Sequence, residues 1–250
     1  MLLCSTICTT AFVACGGDDD SNIESPTTES PAPSDPRAVD LGLSVYWAKM
    51  NVGSSTPEDC GLFFAWGEIN GYTSDTNDGH KFDYSEYKWM TSGQSSPYWI
   101  NKYQIADQWI DGCWFDSNQH FIGDGKKVLE PADDAATANW GGSWRMPTIE
   151  EYQELINNCT VERTKQNGIE GCKLISKKNG NSIFLPASGI RASGGVLTWE
   201  GIGVYWSSSL KSTLGGDGLY FNTNVGTPMY ISTVDYSRNT GINVRPVMKK

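Results

Sequence analysis

The chain has few histidines and fewer basic than acidic residues. Its 250 residues include two His, and 19 Lys and Arg stand against 29 Asp and Glu. No Lys or Arg precedes Arg37, whereas six acidic residues do, so the chain from Arg37 onward carries 23 acidic and 19 basic residues. Such a mildly acidic surface lacks the concentrated positive charge that attracts phosphate backbones. We therefore expect no nucleic-acid partner.

The sequence also lacks the local motifs of several enzyme and metal-site classes. It has no Gly-x-Ser-x-Gly, no His-x-x-x-His, no Cys-x-x-Cys and no Gly-rich phosphate loop between a strand and a helix. A Ser or Cys hydrolase needs a base beside its nucleophile, and a zinc site needs clustered ligands. Asp75, Asn77 and Asp78 offer oxygen ligands but miss the EF-hand spacing, so a solvated turn is expected there, with a loop calcium as the alternative. We predict no catalytic residue, no cofactor and no bound metal.

Paired carboxylates are the remaining catalytic possibility, because a glycosidase needs only two. The candidates are Glu68, Glu130, Asp133 and Asp134. Asp133 and Asp134 follow Pro131 and precede two Ala residues, a position at which acids complement the dipole of a starting helix. Glu68 ends an apolar run, where we expect it to hold a loop by hydrogen bonds. A carbohydrate hydrolase stays an alternative hypothesis.

The first 36 residues differ in composition from the rest of the chain. Residues 1–14 are apolar and uncharged, too short for the ~20-residue span of a bilayer and typical of an export signal. Residues 15–36 are acidic and rich in Pro and Ser, and they have too little apolar surface to offset chain entropy. We predict a signal segment, a disordered tether that starts at Cys15, and one globular domain over residues 37–250.

The end of the signal segment resembles a lipobox. Phe12-Val13-Ala14-Cys15 is similar to the cleavage motif of bacterial lipoproteins, with Phe12 where Leu is usual. Residues 16–20 (GGDDD) resemble the acidic run that follows the lipidated Cys in outer-surface lipoproteins of Bacteroides-type bacteria. The resemblance implies that Cys15 is acylated, with the membrane as a partner through several lipid chains. It also implies an outer-membrane location that faces the cell exterior.

Four cysteines follow the predicted lipid-attachment site: Cys60, Cys113, Cys159 and Cys172. In an oxidising compartment an even number of cysteines favours disulfides, and four residues allow three pairings. A Cys159–Cys172 bond would close a short loop, and Cys60–Cys113 would complete the set. Four free thiols are the alternative.

Periodicity and turn chemistry predict a mixed α+β fold with long loops. Thr148 and Glu151 have the spacing of a capping box, which predicts a helix to about Cys159. Asn179-Gly180 between two apolar runs predicts a hairpin over 172–185. Other short apolar runs predict strands at 45–48, 62–66, 204–207, 219–221, 229–234 and 243–247.

Residues 70–128 have a loop-like pattern with a dense group of aromatics. Five of them lie within 17 residues: Tyr98, Trp99, Tyr103, Trp109 and Trp114. Rigid rings on loops provide contact area at low entropic cost, so this group is our candidate ligand-binding surface, with core packing as the alternative. Arg145 and Arg245 lie within apolar motifs, where we expect them to bridge carbonyls of neighbouring loops; contact with an anionic ligand is the alternative.

An ordered series of motifs resembles the Fibrobacter-succinogenes-type major paralogous (FISUMP) domain, close to the Lcl C-terminal domain family. The segments are 39–48 (VDLGLSVYWA), 64–68 (FAWGE), 133–136 (DDAA), 140–148 (WGGSWRMPT), 184–187 (FLPA), 205–208 (YWSS) and 244–247 (VRPV). The resemblance covers about residues 38–248. It implies a C-type-lectin-like mixed β core with one or two helices.

The FISUMP resemblance and the predicted outer-membrane location together predict a surface-exposed, non-catalytic binding or adhesion module for glycan or protein ligands. Some relatives in the family are implicated in adhesion to glycans or host matrix. The calcium-dependent sugar signatures of true C-type lectins are absent from the chain, so that calcium chemistry is not implied. A structural component of a cell-surface assembly is the alternative from a different class.

Overall fold

Short strands dominate the architecture, which is described by a computed structural model for residues 33–107, 114–198, 201–224, 226 and 229–250. These residues belong to one compact unit, Ala32–Lys250. The predicted signal segment, Cys15 and nearly all of the predicted tether lie outside the described residues, as do Trp109 and Cys113.

The described residues form fourteen strands. These are β1 (Ala38–Val39), β2 (Val45–Ala48), β3 (Phe63–Phe64), β4 (Trp144–Arg145), β5 (Cys159–Gln166), β6 (Ile169–Ser176), β7 (Ser182–Pro186), β8 (Ile190–Arg191), β9 (Leu197–Thr198), β10 (Ile202–Leu210), β11 (Gly215–Asn222), β12 (Tyr230–Ser237), β13 (Ile242–Asn243) and β14 (Val247–Lys249). The helices are α1 (Ala135–Trp140) and α2 (Ile149–Asn158), with 3-10 turns at Thr76–Asp78, Pro97–Trp99 and Pro131–Asp133.

The strands assemble into one large sheet and three smaller ones. The largest has the order β12-β11-β10-β13-β3, in which β10 and β13 are parallel and the other neighbours antiparallel. The others are β1-β2-β14-β4, β5-β6-β7 and β8-β9. A largely β structure with two α-helices in its described part agrees with the coarse α+β prediction.

The core lies on both faces of the largest sheet. Successive side chains of a strand point to opposite faces. In β10, Tyr205 therefore packs into one buried cluster with Tyr152 of α2, whereas Val204 and Trp206 pack into a second cluster with Trp66. All five side chains are inaccessible to solvent. This is why β10 has a continuous apolar run instead of an alternating one.

Helix α2 confirms the capping-box prediction. The Glu151 amide donates to Thr148 Oγ1 (3.4 Å), and the Thr148 amide donates to Glu151 Oε2 (2.8 Å). The helix ends at Asn158, one residue before the predicted end, because β5 begins at Cys159. Its buried side chains, Tyr152 and Leu155, are three positions apart and therefore lie on one face of the helix.

The hairpin between β6 and β7 is also confirmed, with Gly180 at a φ of 76°. The preceding hairpin, β5 to β6, was missing from our prediction. Its turn residues Asn167 and Gly168 both have positive φ, as a type I′ turn requires. The Asn-Gly signal was present, but the polar residues of β5 do not look like a strand. The predicted strand 243–247 is interrupted, because Pro246 has no N–H for a ladder.

The predicted Cys159–Cys172 disulfide is wrong. In the β5–β6 register, Cys159 faces Ser176 and Cys172 faces Arg163, so the two cysteines are four residues out of step. That offset is about 13 Å along the strands, whereas a disulfide needs Cα atoms within about 7 Å. Both thiols are free and buried, and Cys60 is free and half-buried. The Cys60–Cys113 prediction involves a residue outside the described ranges.

Burial raises the pKa of the Cys159 thiol to about 11 and raises that of Cys172 further. Both thiols therefore stay protonated at neutral pH. Separately, neither α-helix of the described residues has the length and apolar character needed to cross a membrane.

Candidate functional site

The predicted aromatic surface divides into exposed and buried members. Tyr98 is 46% exposed and Trp99 37% exposed, whereas Tyr103 and Trp114 are fully buried. The assignment of Tyr103 and Trp114 to a ligand surface is therefore wrong, and Trp109 lies outside the described residues.

The two buried rings are held by specific contacts within the structure. Tyr103 meets Trp66 edge to face at 5.2 Å and donates its hydroxyl to Asp133 Oδ2 (2.6 Å). The Trp114 indole Nε1–H donates to the Ile100 carbonyl (3.2 Å). Buried Tyr and Trp side chains generally need such partners for their polar atoms. These two rings therefore stabilise the segment that carries the exposed pair.

Tyr98 and Trp99 stand on a short turn that is fixed by backbone hydrogen bonds. The Trp99 amide donates to Ser96 O (3.0 Å), and the Trp99 carbonyl accepts from both the amide (2.9 Å) and the hydroxyl (2.8 Å) of Thr91. Ile100 follows and is buried. The exposed rings are thus presented on a backbone that is already ordered, which lowers the entropic cost of binding.

Beside this turn, the half-buried Trp89 has two cations close to its rings. Lys88 Nζ is 4.3 Å and Lys102 Nζ 4.6 Å from the centre of a Trp89 ring, both within cation–π range. The indole Nε1–H donates to Gly67 O (3.0 Å). Trp89 is therefore fixed by both its ring face and its polar edge.

Both lysines also bind Asp133. Lys88 Nζ is 3.0 Å from Oδ1, and Lys102 Nζ is 2.6 Å from Oδ2. Burial raises the pKa of Asp133, but hydrogen bonds from Lys102, Tyr103 and Lys88 outweigh it and hold that pKa below its usual value. Lys102 also contacts Glu130, whose pKa is lowered by hydrogen bonds from Lys102 and Lys126. Both carboxylates are therefore ionised at neutral pH.

The other two candidate acids hold backbone amides. Glu68 Oε1 accepts from the Lys88 amide (2.8 Å), which confirms the predicted loop contact. Asp134 caps α1 by accepting from the Thr137 amide (2.8 Å), as expected of an acid at a helix start, and it also accepts from the Met146 amide (2.8 Å). Burial raises the pKa of both carboxyl groups.

An open cleft of about 390 Å³ is lined in part by the segment that contains Glu130 and Asp133. Its lining includes apolar and polar side chains: Val128, Pro131, Asp134, Ser143, Arg145 and Ser208. Backbone bonds connect its walls, because the Leu129 amide donates to Ser208 O (2.9 Å) and the Ser208 amide donates to Pro147 O (2.7 Å). The shape of the cleft is therefore set by the backbone.

Arg145 is the only basic residue among the described side chains that line the cleft, and it is 36% exposed. Nη1 and Nη2 donate to the two carboxylate oxygens of Glu151 (2.8 and 2.5 Å), and Nη1 also donates to Met146 O (3.0 Å). The hydrogen bonds that Arg145 donates to Glu151 raise the pKa of Arg145, and the charges of Glu151 and Asp134 add to the effect. The predicted bridge between carbonyls of neighbouring loops is therefore wrong for Arg145, which contacts one carbonyl, that of the next residue, and forms a bidentate ion pair with Glu151.

Arg245 confirms the prediction for buried guanidinium groups. It is fully buried and donates to the Ala48 and Lys49 carbonyls (3.1 Å each) and to Asn51 Oδ1 (2.8 Å). Burial lowers its pKa to about 10. These contacts are structural, and an anionic ligand has no access to the group.

Sequence reasoning missed two further buried arginines. Arg191 makes a bidentate pair with Asp78 (2.6 and 3.0 Å), so one carboxylate of the loop considered for calcium binds a guanidinium. Arg238 binds the segment that carries the aromatic turn, donating to Lys102 O (3.0 Å) and Tyr103 O (3.1 Å). Nothing near either residue in sequence signals these contacts.

No described part of the chain places three His, Cys, Asp or Glu side chains where they could hold a metal ion. No family model, curated protein or solved structure matches this chain. The FISUMP resemblance therefore depends on the ordered motifs alone.

Proposed function

We propose that the chain is an outer-membrane lipoprotein, anchored through acylated Cys15, that displays a non-catalytic binding or adhesion module for glycan or protein ligands at the cell exterior. The lipobox-like motif, the acidic run after it and the Pro/Ser-rich tether support the location. The FISUMP-type motifs support a C-type-lectin-like arrangement of the β core.

The exposed pair Tyr98 and Trp99 carries the binding proposal. Large rings that stay accessible on an ordered turn are costly to leave in water, and Trp and Tyr dominate the energetics of recognition surfaces. Ring faces stack on sugars and peptides at low entropic cost. The fixed Trp99 backbone distinguishes this pair from aromatics that are exposed by chance.

The ion pairs and hydrogen bonds of the candidate acids support a non-catalytic role. A glycosidase needs a protonated acid and a second carboxylate in one cleft. Asp133 and Glu130 are kept ionised by lysines. Asp134 is the only acidic side chain among the described residues that line the cleft, and backbone amides occupy its oxygens.

Binding is tested with the full-length protein in detergent on arrays of oligosaccharides and matrix proteins. Tyr98→Ala and Trp99→Ala should each weaken binding about tenfold or more, as expected for an aromatic hot spot. Tyr230→Ala is the matched control, because Tyr230 is also exposed but lies on β12. Absence of any wild-type binding would exclude the function, and equal binding by all variants would exclude this surface.

The anchor is tested separately in a bacterial host. Wild-type protein should incorporate radiolabelled palmitate and be digested by protease added to intact cells, whereas Cys15→Ser should lose the label. A wild-type protein without label would contradict the location.

A further inference from the structure

We propose that the cleft beside Arg145 is a binding site for one neutral sugar unit of a glycan, held through two adjacent hydroxyl groups. This inference deepens the proposed function and depends on it. The evidence is the unused part of the Arg145 guanidinium, the charge around it and the exposed apolar residues of the same cleft.

Arg145 has a free pair of donors. A guanidinium has five N–H groups in a planar fork, and the bonds to Glu151 and Met146 use three of them. The two that remain are Nε–H and the second hydrogen of Nη2, which point the same way along one edge of the group. Among the described residues neither has a partner. Two parallel donors of this kind match two neighbouring oxygen atoms of a ligand.

The charge around Arg145 selects a neutral ligand. Glu151 already forms a bidentate pair with the guanidinium, and the Asp134 carboxyl is close enough to raise the pKa of Arg145. No other cationic side chain of the described residues lines the cleft. An incoming carboxylate or sulfate would therefore meet two acidic groups and one cation. Hydroxyl oxygens accept the same two hydrogen bonds without that repulsion.

Another part of the cleft lining is apolar and exposed. Val128 is 50% exposed, and Pro131 beside it is also exposed. A sugar ring has an apolar C–H face and a polar rim, so it can cover these side chains while its hydroxyls reach Arg145 and Ser143. A volume of about 390 Å³ falls within the range of small-ligand sites.

The cleft and the aromatic surface share one segment of backbone. Val128 and Pro131 line the cleft, whereas Glu130 and Asp133 hold Lys102 beside Trp89. The lining of the cleft and the ion pairs beside Trp89 therefore depend on the same stretch of backbone.

Three variants of the full-length protein test the cleft on an array of neutral gluco-, galacto- and manno-oligosaccharides and their uronic-acid counterparts. Arg145→Lys keeps the charge and the pairing with Glu151 but removes the parallel donors, so binding to neutral glycans should fall about tenfold or more. Val128→Trp fills the cleft and should abolish binding. Val196→Trp is the matched control, an identical change at a similarly exposed valine outside the cleft, and should bind as wild type.

The outcomes separate this inference from the proposed function. Neutral glycans bound equally by wild type, Arg145→Lys and Val128→Trp, or uronic-acid glycans bound better than neutral ones, would overturn the cleft assignment and leave a binding module intact. If the protein bound matrix proteins but no glycan, and Trp99→Ala abolished that binding, the cleft assignment would also be overturned and the binding module would stand. No binding to any glycan or protein would overturn both. Circular dichroism of each variant verifies that it is folded.

Discussion

Replacing Arg238 with Lys tests whether one buried guanidinium fixes the segment that carries the aromatic turn. Arg238 is fully buried and makes four hydrogen bonds: Nε to the Tyr87 hydroxyl, Nη1 to the Tyr103 and Thr213 carbonyls, and Nη2 to Lys102 O, all at 3.0–3.1 Å. It also lies 4.9 Å from a Trp66 ring centre. Lys keeps the positive charge but cannot reproduce the planar fork.

The magnitude follows from the bonds that are lost. An ammonium group on a shorter, single-headed side chain can reach about two of the four acceptors. Each lost bond to a charged donor costs about 1.5–3 kcal/mol. Arg238→Lys should therefore lower the free energy of unfolding by about 3–6 kcal/mol, a large part of the ~5–15 kcal/mol of a typical domain.

The measurement is urea denaturation at pH 7, followed by tryptophan fluorescence. Arg37→Lys is the matched control, because Arg37 is partly exposed and pairs with Asp35, and such surface pairs contribute about 1 kcal/mol or less. Hydrogen exchange should show the largest loss of protection in residues 84–105. A cost below about 1 kcal/mol for Arg238→Lys, with unchanged exchange, would refute the reasoning.

Two further predictions concern titratable groups. Hydrogen bonds from Lys102, Tyr103 and Lys88 outweigh the effect of burial and lower the pKa of Asp133. The stability that this carboxylate contributes is therefore fully present above the ordinary pKa of 3.8 and is lost as the pH falls below that value. Asp133→Asn should therefore lower the urea midpoint at pH 7 and flatten its decline below about pH 4; an unchanged slope would contradict the assignment. Cys159 and Cys172 should react with a thiol reagent only after unfolding, since both are buried with raised thiol pKa values, whereas a Cys159–Cys172 peptide in a non-reducing digest would disprove the register.

Local signals predicted the local structure well. The Thr148–Glu151 box located α2, and the Asn179-Gly180 turn located the β6–β7 hairpin, because both depend on residues within a few positions of each other. Strand β5 was missed because it is a polar edge strand that pairs with β6, and only Cys159 and Val161 of its apolar residues pack against the core.

The site was less predictable, since it depends on contacts between distant segments. Composition does not distinguish a buried Tyr103 from an exposed Tyr98, five residues earlier in the chain. What buries Tyr103 is Trp66, together with the carboxylate of Asp133. Arg238 reaches acceptors between 25 and 151 residues away, and no pattern in the sequence around it records that. The cleft could not be predicted for the same reason, because its walls come from three separate stretches of chain.

Strand β10 has a consequence for how the molecule comes apart. Its side chains belong to both buried clusters: Tyr205 packs into the cluster that contains Tyr152, and Val204 and Trp206 pack into the cluster that contains Trp66. Loss of β10 from the sheet would expose side chains of both clusters at once. Heating should therefore give one sharp unfolding transition. A destabilising substitution in the cluster beside α2 should also destabilise the cluster around Trp66.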